Sequence, residues 1–157
     1  MNELTTAFQL IINLYGLDFA KLLECLFRNE TAHFSSGQWK NCFAPGMEMI
    51  KGTSKPCYGW YSLDVFWQEN PNYAPIGIWS AVDNNSALSE STGEQGFLQF
   101  ASPEAGIMSV GKLISLRGGN FGSWFSTDST AQAKYVAVLN TIIPRICDSL
   151  APTTPLT

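Results

Sequence analysis

Between Leu22 and Trp39 the chain reads LLECLFRNETAHFSSGQW, and this stretch restricts the fold more than any other. At about 100° of turn per residue in an α-helix, Leu23, Leu26, Phe27 and Glu30 share one face, whereas Lys21, Glu24 and Arg28 occupy the other. The first face has to be buried, and Glu30 stands at the end of its apolar stripe. An apolar setting disfavours the charged form of a carboxyl group, so a carboxyl held there keeps a proton near neutral pH. That is the property a general acid needs. The competing reading is a hydrated glutamate at a helix end, beyond the point where the stripe stops.

The flanking sequence supplies the other elements. Residues 3–14 and 17–31 read as two helices broken at Gly16, with Asp18 in the first turn of the second, where the helix dipole favours an acid. From Ser35 to Pro56 the periodicity disappears among Gly37, Pro45, Gly46, Gly52 and Pro56, which predicts loops and turns. Ser62 is expected to cap a short helix running to Glu69 with Val65 and Phe66 inward, before the turn signals Asn70-Pro71 and Ala74-Pro75. Asp83–Gly96, rich in Ser, Asn and Gly, reads as a cleft lip, and Gly96–Phe100 as a short extended segment. Ser102-Pro103-Glu104 opens a helix that runs to about Leu116 and stops at Gly118-Gly119. A further helix starts after Ser126–Asp128 with Tyr135, Val138, Leu139 and Ile142 as its apolar face, and Pro144 is expected to kink or end it.

A chain of 157 residues accommodates one domain with a real core. The expected organisation is a single domain over residues 1–150 and a Pro/Thr tail over 151–157. That tail has no apolar periodicity to hold itself, so it is expected, together with the N-terminal helix, to dock on a neighbouring chain, either a virion protein or a second copy; the competing reading is that it packs back on its own domain. The net charge is −4, and no Lys or Arg occurs between Pro56 and Gly111. Phosphate binding needs a basic face, which disfavours nucleic acid as a partner. The apolar segment from Ala7 to Phe27 is interrupted by Asn13, Asp18, Lys21 and Glu24, so neither a signal peptide nor a membrane span is expected. Synthesis in the cytoplasm then implies reduced thiols at Cys25, Cys42, Cys57 and Cys147. With a single His and no CxxC pair, no metal or other cofactor is expected. A thiol hydrolase built on His33 with Cys42 or Cys25 lacks a third, orienting residue.

Four short motifs fall in a suggestive order: Glu30-Thr31, Gly96-Phe97-Leu98-Gln99, Asn120-Phe121-Gly122 and Tyr135-Val136. In that order they resemble the lysozyme-like superfamily, in particular goose-type lysozymes and soluble lytic transglycosylases. Those enzymes carry Glu-Ser at a helix end, a Gly-hydrophobic-Met-Gln motif, an Asn-Ala-Gly turn and a Tyr-Val helix start. The run Arg28–Gln38 is also similar to lysozyme-like proteins of bacterial viruses. The resemblance spans roughly residues 17–150, with Leu98 standing where the family usually has Met.

The resemblance implies an α+β, mainly α fold, with a helical core and a small antiparallel sheet beside a cleft. It further implies cleavage of the β-1,4 bond between N-acetylmuramic acid and N-acetylglucosamine in peptidoglycan, with Glu30 as general acid. Thr31, Gln99, Asn120 and Tyr135 would be substrate-binding, and Tyr135 would lend its hydroxyl to Glu30 or to an N-acetyl group. A hydrolase needs a second carboxylate, for which Glu94 is the first candidate and Asp83 and Glu48 are weaker. A lytic transglycosylase needs none, because the substrate's own 6-hydroxyl closes an anhydro ring. Without a signal peptide, such an enzyme reaches the cell wall through a holin or in a virion. The alternative is an inactive lysozyme-like virion component that binds sugar or assists assembly.

Overall fold

The computed structural model describes residues 2–47, 61–80 and 96–152. Glu48, Cys57, Asp83, Glu94 and residues 153–157 of the tail lie outside the described residues, as does most of the expected cleft lip.

Helix α1 (Glu3–Tyr15) starts where the Asn2 side chain accepts the Thr5 N–H at 2.8 Å. Only Gly16 separates it from α2 (Leu17–Glu30), and that residue sits at φ 93°, a conformation costly for any residue with a Cβ. The sharp corner lays α1 against α2, burying Ala7, Phe8 and Ile11 against Ala20, Leu23, Leu26 and Phe27.

Helix α5 (Pro103–Leu116) begins at Ser102, whose Oγ accepts the Ala105 N–H, with Pro103 in the first turn. It is buried on nearly every side, from Pro103 and Ala105 through to Leu113 and Ile114, as expected of a helix that is apolar all round. Close approach depends on its glycines. A Cβ at Gly106 would lie 1.8 Å from the Phe43 carbonyl oxygen, and one at Gly111 would lie 3.0 Å from Ile11 Cδ1. Ser109 is the polar exception: its Oγ accepts Trp67 Nε1–H at 2.9 Å and donates to the Tyr73 carbonyl at 3.2 Å. Those bonds pin α4 (Asp64–Glu69) and the 3₁₀ turn Pro71–Tyr73 to α5.

The sheet has two strands, β1 (Gly77–Ser80) and β2 (Gly96–Gln99), paired antiparallel with Ile78 opposite Leu98 and Trp79 opposite Phe97. Beyond the sheet, Leu98 N–H donates to the Met47 carbonyl and Phe100 N–H to that of Cys42. The protein is thus mainly α with a small antiparallel sheet, and no described helix is long and apolar enough to cross a membrane.

Several sequence expectations are corrected. Within the span expected to be loop, α3 (Gly37–Cys42) is capped by Ser36 and buries Trp39 and Cys42; six residues are too few to display a period. The N-cap of α4 is Leu63, with no side-chain bond, where Ser62 was expected to cap. Val65 is 62% exposed and Trp67 is the buried residue, because the Trp67–Ser109 bond sets the roll of that short helix. Helix α6 (Ser129–Leu139), capped by Asp128, ends well before Pro144, and Val138 faces outward. Pro144 stands instead before α7 (Arg145–Leu150), which folds back onto α1 and α2.

Glu24 is the largest departure. Expected on the polar face, it is fully buried. Its carboxylate accepts Arg28 Nε–H at 2.7 Å, Ile146 N–H at 3.0 Å and Cys147 N–H at 2.8 Å. Helix α7 covers this side of α2, and only its arrival turns an outward position inward. Removing one partner of a buried pair leaves the other unpaired, so Glu24→Ala should cost about 3–5 kcal/mol. Urea denaturation checks this, and a loss below about 1 kcal/mol, the scale of an exposed pair, would refute it.

Candidate active site

Helix α2 ends at Glu30, and the chain then makes an unusual turn. Ala32, His33 and Phe34 all have positive φ, at 47°, 55° and 63°, a region costing non-glycine residues roughly 1–2 kcal/mol each. Three left-handed residues in succession persist only where their surroundings fix them. Thr31 does much of this: its Oγ1 donates to the Phe27 carbonyl at 2.5 Å and accepts the Phe34 N–H at 3.1 Å. Arg28 adds a second hold, with its guanidinium 5.2 Å from the centre of the Phe34 ring and Nη1 3.5 Å from His33 Nδ1. Beneath, Phe34 packs edge-on to Trp39, which also meets Phe27 and Phe43 edge-on.

Across from Glu30 stands α6. A turn prepares its position: Asn120 Oδ1 accepts the Gly122 N–H, and Asn120 Nδ2 donates to Gln132 Oε1 at 2.9 Å. Gly122 is needed because a Cβ there would lie 2.5 Å from Gln132 Cβ. Phe121 anchors the turn by packing on Phe19 of α2. With α6 held in this way, Tyr135 Oη donates to Glu30 Oε1 at 2.5 Å across 105 residues of chain. The Tyr135 ring is buried and stacks on Phe125 at 5.3 Å and 15°. Burial first, and then the Glu30 hydrogen bond and charge, push the Tyr135 hydroxyl well above its ordinary range. The phenol therefore stays a proton donor to Glu30 throughout the neutral range.

The remaining residues singled out from sequence are spread more widely. Thr31 is fully buried and its hydroxyl is spent on the backbone, so it builds the turn and does not face a ligand. Asn120 likewise commits both amide atoms to the turn and to α6. Gln99 lies on β2 with Nε2 donating to the Asn41 carbonyl at 3.0 Å. Of the four residues expected to bind substrate, only Tyr135 makes a hydrogen bond to Glu30. The candidates for a second carboxylate, Glu94, Asp83 and Glu48, lie outside the described residues. Among the described ones, Glu24, Glu104, Asp128 and Asp148 are committed to α7, Tyr73, the α6 N-terminus and Lys21 respectively.

Sequence reasoning missed Phe125 as a neighbour of the site; its only trace is the aromatic density of Phe121–Phe125. A cysteine nucleophile is disfavoured by the surroundings of the thiols. Cys25, Cys42 and Cys147 are free and buried, and Cys25 Sγ donates to the Ile142 carbonyl while His33 meets Arg28. Burial, reinforced by the Glu24 charge, pushes Cys25 from 9.0 to about 11, and burial alone pushes Cys42 to about 12. Both hold their protons where a nucleophile must lose one.

These environments make stability depend on pH. The raised thiols stabilise the fold fully below pH 9, where both folded and unfolded chains are protonated. As pH rises through 9 toward 11–12 the unfolded chain ionises first, and that stability is lost. Urea midpoints measured from pH 8 to pH 11 should decline above pH 9, and a flat series would contradict the assignment. At Ala32, glycine relieves the left-handed strain at some entropic cost, so Ala32→Gly should raise stability by up to about 1 kcal/mol. A lowered thermal midpoint would refute it.

No protein family, curated protein or solved structure matches the chain.

Proposed function

We propose that this chain is a peptidoglycan-cleaving glycosidase of the lysozyme-like type, either a muramidase or a lytic transglycosylase, with Glu30 as its general acid. The observation that carries the reading is the 2.5 Å hydrogen bond from Tyr135 to Glu30. Two residues taken from separate motifs of the resemblance, 105 positions apart, meet at one carboxyl group. The mainly α fold with its small antiparallel sheet is compatible with the same reading.

In this mechanism Glu30 protonates the glycosidic oxygen as the bond to the anomeric carbon breaks and the transition state acquires oxocarbenium character. Tyr135 orients the carboxyl group by occupying Oε1 and so presents Oε2 to the leaving oxygen. The Glu30 carboxylate then accepts a proton, either from an attacking water or from the sugar's own 6-hydroxyl. The first route gives reducing ends and requires a second carboxylate to steady the reaction centre. The second gives 1,6-anhydro ends and proceeds with Glu30 alone. Mass spectrometry of digested peptidoglycan separates them, because the two products differ by one water.

Glu30→Gln keeps the shape and the acceptor for Tyr135 but removes the proton donor, so lysis of purified cell walls should fall by at least about 100-fold. The folded state should be retained, as circular dichroism and thermal unfolding can verify. Full lytic activity in the folded variant would end the assignment. Failure of the parent protein to cleave peptidoglycan would favour a carbohydrate-binding scaffold instead.

A further inference from the structure

Arg117 closes the C-terminal end of α5, where a cation complements the helix dipole. Its side chain does more than cap. Nη1 donates to the Ser123 carbonyl at 3.3 Å, which carries the guanidinium across to the Phe121–Trp124 turn. Arg117, Ser123, Trp124 and Gly46 together wall a depression of about 180 Å³. Among the described residues the salt bridges are Lys21–Asp148 and Arg28–Glu24, and no carboxylate reaches Arg117. The next residue along the chain, Phe125, is 62% exposed. One face of its ring lies on Tyr135, the residue bonded to Glu30. Two neighbouring aromatic residues thus stand between the candidate acid and the guanidinium: Phe125 stacks on Tyr135, and Trp124, next to it in the chain, lines the depression with Arg117.

We propose that Phe125, Trp124 and Arg117 form a subsite for a sugar that carries a carboxylate, a proposal that rests on the reading of Glu30 as the acid and adds a specificity to it. The aromatic faces receive the apolar C–H face of a pyranose ring. Arg117 receives the carboxylate, because a guanidinium offers paired N–H donors that match two carboxylate oxygens. The acidic group is assigned to the depression because the Arg117 guanidinium lies in its wall. In a peptidoglycan strand that group is either the lactyl carboxylate of a muramic acid residue or, where a peptide caps the lactyl group, a carboxylate of the peptide. Chitin carries neither.

The test is a set of titrations of the whole protein, read by NMR shifts of backbone amides and Trp indoles. The probes are three disaccharides: N-acetylglucosaminyl-N-acetylmuramic acid, the same disaccharide bearing a dipeptide, and chitobiose. At least one acidic probe should bind about tenfold or more tightly than chitobiose, with shifts centred on residues 117–125. The acid that gains identifies the source of the carboxylate. Arg117→Gln should erase that preference while leaving chitobiose binding unchanged, and Phe125→Ala should weaken all three probes about equally.

Equal affinity for the three probes, a preference that survives Arg117→Gln, no binding at millimolar concentration, or shifts remote from this turn would each overturn the proposal. Wall lysis by a protein that shows no acid preference would remove the subsite and leave the catalytic reading standing. The stated preference in a protein that lyses no wall would do the reverse.

Discussion

Helix α5 has almost no side left for water, and the rest of the molecule is arranged to cover it. Its apolar residues meet α1 on one flank, the α4 region on another, and the loop after α3 at Gly106. Each large side chain buried in this way contributes on the order of 1.5–3 kcal/mol, and the glycines at 106 and 111 allow the backbones close enough to collect it. A helix covered on all sides tolerates little sliding. Its one interior hydroxyl, on Ser109, is fully bonded and fixes the register of α4 against it.

On this frame, α2 serves two ends. Near its middle, Glu24 accepts three hydrogen bonds and ties Arg28 and the start of α7 to the helix. Arg28 then reaches the left-handed turn through Phe34 and His33. The buried carboxylate thus supports, through one side chain, the strained segment that follows Glu30. The two glutamates lie six positions apart and have opposite roles. Glu24 is saturated with donors and structural, whereas Glu30, among the described residues, accepts one hydrogen bond through its carboxyl group, from Tyr135. The strain at Ala32–Phe34 directs the chain sharply off the helix axis, so that α3 and its aromatic cluster pack below the turn.

Beyond Tyr135 the surface carries an exposed aromatic ring. Phe125 is largely exposed although it stacks on a buried ring, as single apolar side chains on a protein surface often are. Arg117 brings a guanidinium to the preceding turn through its bond to the Ser123 carbonyl, in a chain whose net charge is −4.

What the amino-acid order determined by itself was local. Capping residues and turn signals marked α1, α2, α5 and the start of α6, because those signals act within one helical turn. Face periodicity put Leu23, Leu26 and Phe27 inward, and motif order singled out Glu30 and Tyr135. Tertiary structure decided everything that depends on a distant partner. Glu24 is inward only because α7 returns to supply two N–H donors, a contact across 122 and 123 positions of chain that no helical wheel contains. Trp67, and not Val65, is buried because Ser109 waits on another helix. Thr31 and Asn120 have polar side chains that look free in sequence, yet the nearest unsatisfied backbone groups claim them first. The meeting of Tyr135 with Glu30 is of the same kind. Sequence could nominate the pair, but only the packing of α6 through Gly122 onto the end of α2 brings a hydroxyl within reach of the carboxyl group.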